Sequence, residues 1–296
     1  MKIGIPKALY YYYFYDKWFY FFKELGVEVV TSLDTNKDII DKGSFYATDE
    51  MCLSLKIFLG HVHDLKDKCD YILIPNIDNY GLSNQMCCNY SALYDLVNNL
   101  FSFKILTYDI NYVKNKKEVM GFIKMGKQLG FKKKQIMKAY KIACIKNNKI
   151  VKKHIINNNN KLKSSKKKIL LVGHPYNMYD NYLSSMITTY LNNLDLAVIY
   201  SDRFASDVTN KLATYLSRDL YWKYSKENIG SIVLCQDKVD GIIFLSSFPC
   251  GIDSLVNELV MRKINKPYLN LIIDDLSSST GMETRLESFV DILEQS

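Results

Sequence analysis

Short apolar runs alternate with longer amphipathic stretches along nearly the whole chain, which is the hydropathy pattern of strands alternating with helices. Residues 2–6 (KIGIP), 27–31, 71–75 (YILIP) and 103–108 read as strands. Residues 8–25, 35–42, 47–61 and 91–100 read as the helices between them, followed by two basic helices over 116–129 and 132–149. The strands are apolar throughout instead of alternating, as expected of strands covered on both faces of a parallel sheet. The pattern breaks at 152–168, KKHIINNNNKLKSSKKK, which has four consecutive asparagines, many lysines and almost no core-forming residues. This stretch reads as a linker or mobile surface loop. The pattern then restarts, with strands at 169–172, 197–200, 241–245 and 268–273 and helices at 182–191, 212–224, 230–239, 255–263 and 284–293. The fold class expected is α/β: two flavodoxin- or Rossmann-like parallel-sheet domains with the site in the cleft between them. The N-terminal domain spans 1–151, the linker 152–168 and the C-terminal domain 169–296.

Aromatic residues in 8–25 fall on nearly every face of a helix, which predicts burial on several sides, with a partner interface as the other reading. At 296 residues, 48% hydrophobic and 24% charged, the chain has the size and balance of a two-domain globular protein. No apolar stretch is long enough to span a bilayer, and Asp16 and Lys17 interrupt the aromatic run where a signal peptide would be uninterrupted. A cytoplasmic protein without a membrane association is therefore expected. The seven cysteines are then left for packing, metal or redox chemistry. The net charge of +8 is local: residues 114–168 hold 19 of the 39 basic residues and one acid, and the remainder carries 20 basic and 30 acidic residues. No aromatic-basic sheet motif accompanies it, so no nucleic-acid partner is expected.

Candidate chemistry centres on residues 241–254, GIIFLSSFPCGIDS. This reads as a buried strand, a tight turn and a helix opened by Asp253 and Ser254, which puts Cys250 beside unpaired N–H groups at the positive end of a helix. In the ATDEMC stretch, Thr48 is the expected N-cap, Asp49 and Glu50 lie in the first turn, and Cys52 is near the helix start. Cys87 and Cys88 follow the loop 76–86, with one expected as a ligand and the other as a bystander. Ligands of open parallel sheets collect beyond the carboxyl ends of the strands. Three thiolates from separate loops there suit an iron–sulfur cluster. Zinc is the competitor, although the cysteines lack the close pairing of structural zinc sites, and a small buried cysteine is the plain alternative. His61 and His63, two apart, do not share a helical face and argue against a site of their own. Cys144 and Cys235 read as packing residues. His174 is a candidate donor into the site, and Glu50 could position water or a proton. Glu283 and Arg285 are assigned to an inter-domain contact.

Five stretches, IGIPKALYYYYFYDKWFYFFKELGVEVV, TDEMCLSLKIFLGHV, VGHPYNMYD, FPCGIDS and GMETRLESFVDILE, together resemble the acyl-CoA dehydratase activase-related group, akin to the iron–sulfur subunits of 2-hydroxyacyl-CoA dehydratases. The resemblance covers most of the chain except the basic linker. It implies flavodoxin-like domains holding a [4Fe–4S] cluster on three cysteines, which by matching motif are Cys52, Cys87 and Cys250. The family usually has a proline after the second of these, where this chain has Cys88.

In the related dehydratases an ATP-hydrolysing activase delivers one low-potential electron to the cluster, which passes it to a 2-hydroxyacyl-CoA. The resemblance thus implies an ATP-dependent activase as partner, a homo- or heterodimeric assembly and a small substrate such as an acyl-CoA. The chemistry implied is that of an electron-transfer or reductase component, or of a dehydratase-like lyase. The chain has no Walker-type loop and no GxGxxG, so ATP hydrolysis is not expected of it. The alternative is a cluster-free α/β interaction or regulatory partner of an activase, acting through the aromatic N-terminal helix and the lysine-rich region.

Overall fold

The computed structural model describes residues 1–274 and 279–295. The chain divides into two compact units, Met1–Ile150 with Tyr221–Lys223, and Val151–Leu220 with Tyr224–Ser296. Both are α/β, and their sheets are parallel.

The first unit opens with β1 (Lys2–Ile5), α1 (Tyr11–Glu24), β2 (Glu28–Thr31), α2 (Lys37–Tyr46), α3 (Leu53–Asp64) and β3 (Tyr71–Leu73). It continues through β4 (Asn76–Asn79), α4 (Cys88–Ser91), α5 (Leu93–Leu100), β5 (Ile105–Leu106), β6 (Asp109–Asn111) and α6 (Glu118–Gln128) to α7 (Lys133–Leu162). The sheet order is β2-β1-β3-β5, and β4 pairs separately with β6. Ile3, Ile5, Ile72 and Leu73 are buried in its core. Of the crowded aromatics on α1, Trp18, Phe21 and Phe22 are buried and the rest are half-buried, so the helix is covered on one side and not on several. Trp18 Nε1 donates to the Tyr108 hydroxyl at 2.9 Å, and Phe21 meets Phe122 edge-on at 4.9 Å. The rim of this contact is polar: Lys17 pairs with Glu118 at 2.8 Å, and the Tyr140 hydroxyl donates to the same carboxylate.

Helices α2 and α3 cross with their backbones in contact. A Cβ on Gly43 would lie 1.8 Å from the Lys56 carbonyl oxygen, and one on Gly60 would lie 1.9 Å from that of Ile39. Only glycine permits this approach. Beside the crossing, His61 is buried with Nδ1 2.8 Å from Ser32 Oγ and Nε2 2.9 Å from Thr35 Oγ1. Burial holds it neutral and pulls its pKa down to about 4.

The second unit contains β7 (Lys168–Gly173), α8 (Pro175–Met178), α9 (Asn181–Asn193), β8 (Ala197–Tyr200), α10 (Ser206–Leu212), α11 (Lys223–Cys235), β9 (Gly241–Ser247), α12 (Gly251–Met261), β10 (Tyr268–Ile273) and α13 (Ser279–Gln295). Its sheet order is β10-β9-β7-β8. Every residue of β9 is buried, as the unbroken apolar run requires of a central parallel strand. The chain steps from β7 outward to β8 and then returns to the other side of β7, so the topological switch point lies between β7 and β9.

Three expectations are corrected. Residues 152–162 of the lysine- and asparagine-rich stretch are not a linker loop but the last turns of α7. The reason is Asn158, which is buried: its amide nitrogen donates to the carbonyls of Tyr200 and Arg203, and its oxygen accepts from the Tyr200 N–H at 2.9 Å. Lys161 adds a donor to the Val198 carbonyl at 3.3 Å. The helix expected over 212–224 gives way to α10, one 3-10 turn and an extended segment, because Gln85 exchanges backbone hydrogen bonds with Tyr221 and Lys223. The loop expected after YILIP begins as β4, which pairs with β6, and the strand expected over 103–108 shortens to β5, with β6 beginning only at Asp109.

Two stability predictions follow from the α2–α3 crossing and its histidine. Gly60→Ala should lower the urea midpoint by the equivalent of about 3 kcal/mol, the upper part of the overpacking range, whereas Gly251→Ala, with open space around it, should be near neutral. A histidine with a lowered native pKa stabilises fully above its unfolded value, and that stability is lost as pH falls toward the native value. Unfolding titrations should therefore show a loss on the order of 3 kcal/mol between about pH 6.5 and 4 that is flattened in His61→Gln.

Candidate functional site

In the first unit, Cys52 is the N-cap of α3 and Cys87 the N-cap of α4. Thr48 does not cap α3. Its carbonyl closes a turn to the Met51 N–H, and the extended backbone of Cys52 starts the helix one turn later than expected. Asn89 lies between the two sulfurs: its backbone N–H donates to Cys87, and its Nδ2 is 3.9 Å from Cys52 Sγ. Burial is the main cause that pushes the Cys87 thiol up to about 12, with the neighbouring Cys88 and Cys52 adding to it and the Asn89 N–H opposing it. Cys88, the next residue, is exposed. Glu50 is also exposed; its own N–H and the Thr48 hydroxyl bind its carboxylate and lower its pKa.

In the second unit, Cys250 is the N-cap of α12, and its Sγ accepts the Asp253 N–H at 3.5 Å. His174, the N-cap of α8, stands at the carboxyl end of β7, and Cys250 follows the carboxyl end of β9, so the two residues flank the switch point. The His174 Nε2 is 3.1 Å from Asp253 Oδ1, with both side chains about nine-tenths buried. Its ring stacks on Tyr176 at 5.0 Å. Ser247, the last residue of β9, donates to Asn177 Oδ1 at 2.6 Å. Arg285 donates to the Asn270 carbonyl at 2.6 Å.

The other cysteines have different settings. Cys69 donates to the Leu65 carbonyl, Cys144 lies within α7, and Cys235 is fully buried at the end of α11 with its thiol pushed up to about 12. Among the described residues, no group of three or more His, Cys, Asp or Glu side chains is arranged to hold a metal ion.

Asn89 escaped the sequence reading, and Asp253 entered it only as a residue that opens a helix, not as a partner of Cys250 and His174. Both stand two or three residues after an N-cap cysteine, where a helix N–H faces the capping side chain, and this offset is the signal that could have found them. A further cluster was also missed: the Tyr179 hydroxyl donates to Asp202 at 2.6 Å and Arg203 Nε donates to the Tyr179 oxygen at 2.8 Å, while burial raises the Asp202 carboxyl to about 7.

Residues 2–204 match the family described as the CoA enzyme activase uncharacterised domain (DUF2229), and the chain belongs to that family. A CoA-related, activase-type context follows from that membership. Among curated proteins no match was found. Among solved structures the chain is similar to ZnuA, with 10% identity, a TM-score of 0.26 and coverage of 99% of this chain and 98% of that one. It is also similar to a sugar transporter from Clostridium phytofermentans, with 11% identity, a TM-score of 0.19 and coverage of 100% and 93%. At these scores neither likeness bears on function. No helix among the described residues is long and apolar enough to cross a membrane.

The two adjacent cysteines should differ in reactivity. In metal-free protein near pH 8, Cys88 should alkylate at least about tenfold faster than Cys87, because the thiolate is the reacting species. Peptide mass spectrometry over a time course of iodoacetamide treatment reads the ratio, and equal rates would contradict the burial assigned to Cys87.

Proposed function

We propose that this protein is a cytoplasmic iron–sulfur component acting with an acyl-CoA enzyme, with a [4Fe–4S] cluster on Cys52, Cys87 and Cys250 and an ATP-dependent activase as electron donor. Its role would be low-potential electron transfer, or reduction or dehydration of an acyl-CoA or similar small substrate. The observation that carries the reading is that each of these cysteines is the N-cap of an α-helix, whereas among the other four only Cys235 precedes a helical turn, the single 3-10 turn Gln236–Lys238. Family membership supports the CoA-enzyme setting.

The donor set fits such a group. Thiolates are its natural ligands, and helix N-terminal N–H groups favour the thiolate. The raised pKa of Cys87 means that ionisation there needs a compensating cation, which iron would provide. When bound, the cluster would supply one-electron transfer at a potential set by exposure and by hydrogen bonds to sulfur.

The chain supplies those hydrogen bonds. The Asn89 and Asp253 N–H groups are directed at Cys87 and Cys250, and the Asn89 amide at Cys52. Asp253 Oδ1 orients the His174 ring, which would hold a proton at Nε2 in a site largely closed to water.

Iron and acid-labile sulfide on protein purified without oxygen test the proposal. About four of each per chain are expected, the composition of a cuboidal cluster. Cys52→Ala, Cys87→Ala and Cys250→Ala should each lose most of the iron, and Cys69→Ala and Cys88→Ala should keep it. No iron after reconstitution, or full iron in all three N-cap variants, would overturn the assignment.

A further inference from the structure

Helix α7 carries no acidic residue, and four of its exposed lysines lie in one stripe. Lys134, Lys138, Lys141 and Lys149 fall within roughly 80° of one another around the helix axis at 100° per residue. The opposite side, Ile136, Ala139 and Ala143, is buried. Exposed Met137 and Ile145 lie among the lysines and, with Tyr140 and Cys144, line a shallow depression of about 650 Å³. None of the four lysines has a carboxylate within ion-pair distance among the described residues.

Helix α13 shows the opposite pattern. Glu283, Glu287, Asp291 and Glu294 are all exposed and lie within roughly 80° of one another, while Leu286, Phe289, Val290 and Leu293 are buried. These acids also have no cation within ion-pair distance among the described residues. The Tyr190 phenol registers their field: it is pushed up by desolvation first and then by Glu287, Asp291 and Glu283.

We propose that α7 of one copy of this chain docks on α13 of a second copy, with the lysines of one facing the carboxylates of the other. The two stripes are opposite in charge and run along their helices for roughly 22 Å and 16 Å at 1.5 Å per residue. A nucleic acid would match the charge of the lysines but not the apolar residues between them. Each copy has both helices, so a second copy supplies the complement of either stripe. Opposite charges facing in this way steer association and set its partner, and salt weakens them.

Sedimentation velocity of the full chain tests the proposal. Dimerisation should weaken at least about tenfold between roughly 50 and 500 mM salt, since the screening length falls severalfold over that range. The triple variant Lys134→Glu, Lys138→Glu, Lys141→Glu should be monomeric at concentrations where the native chain is dimeric. The reciprocal variant Glu283→Lys, Glu287→Lys, Asp291→Lys should behave likewise. Mixing the two should restore a dimer, because one then has acidic stripes on both helices and the other basic stripes on both. That recovery would also show that neither variant had simply failed to fold. A native chain that stays monomeric, or a dimer indifferent to both sets of reversals, would overturn the proposal.

Discussion

A pair of parallel strands cannot be closed by a tight turn, because the chain must travel back along the sheet before the next strand begins. Both units of this protein are built on that constraint. It puts the carboxyl ends of all strands in a sheet on one edge and starts the returning helices there. Each such helix presents N–H groups without intrahelical partners at that edge. In the second unit β7 and β9 are neighbours whose connections leave on opposite sides, so the loops carrying His174 and Cys250 part around a crevice. The first unit has the same order of strands, β2-β1-β3-β5, and has Cys87 in the loop after β4, the strand that directly follows β3.

Cysteine is a poor residue with which to begin a helix. An aspartate, asparagine or serine in its place would accept the free N–H groups better and stabilise the helix by about 1 kcal/mol. This chain nevertheless has cysteine as the N-cap of α3, α4 and α12; no side-chain bond caps α3, while at α4 and α12 the sulfur faces an N–H of the helix that follows. The placement makes little sense as capping and considerable sense as a way of surrounding sulfur with donors. Asn89 fits that pattern, since one residue serves two sulfurs, with its main chain on Cys87 and its side chain on Cys52.

Much of this was legible in the chain because buried parallel strands announce themselves as unbroken apolar runs. GIIFLSS, KILLVG and KIGI all fell where such runs predict strands. Cys250 was legible as a helix start because Asp253 and an amphipathic run follow it. The helix start at Cys52 was displaced because Thr48, Asp49 and Glu50 have the composition of a cap, yet their backbone forms a turn. The asparagine run was misread because composition describes an average environment, and Asn158 is an exception within it. The hydrogen bonds that bury it come from a strand some forty residues away, and no local pattern encodes them. The pairing of His174 with Asp253 is of the same kind: each residue was visible, but their contact belongs to the topology.

The bond from Asn158 has a consequence beyond the end of α7. Strand β8 is an edge of its sheet, and an edge strand is an open template on which another polypeptide can add itself. The side-chain amide of Asn158 has a donor and an acceptor side by side, like a peptide group, and it occupies both the N–H and the C=O of Tyr200. A single side chain thus takes the place that a neighbouring strand would need. The nearby ammonium of Lys161, on the Val198 carbonyl, lies on the same edge. The stretch that looked most like spacer is therefore a guard against strand-to-strand aggregation, with a side chain in place of the missing fifth strand.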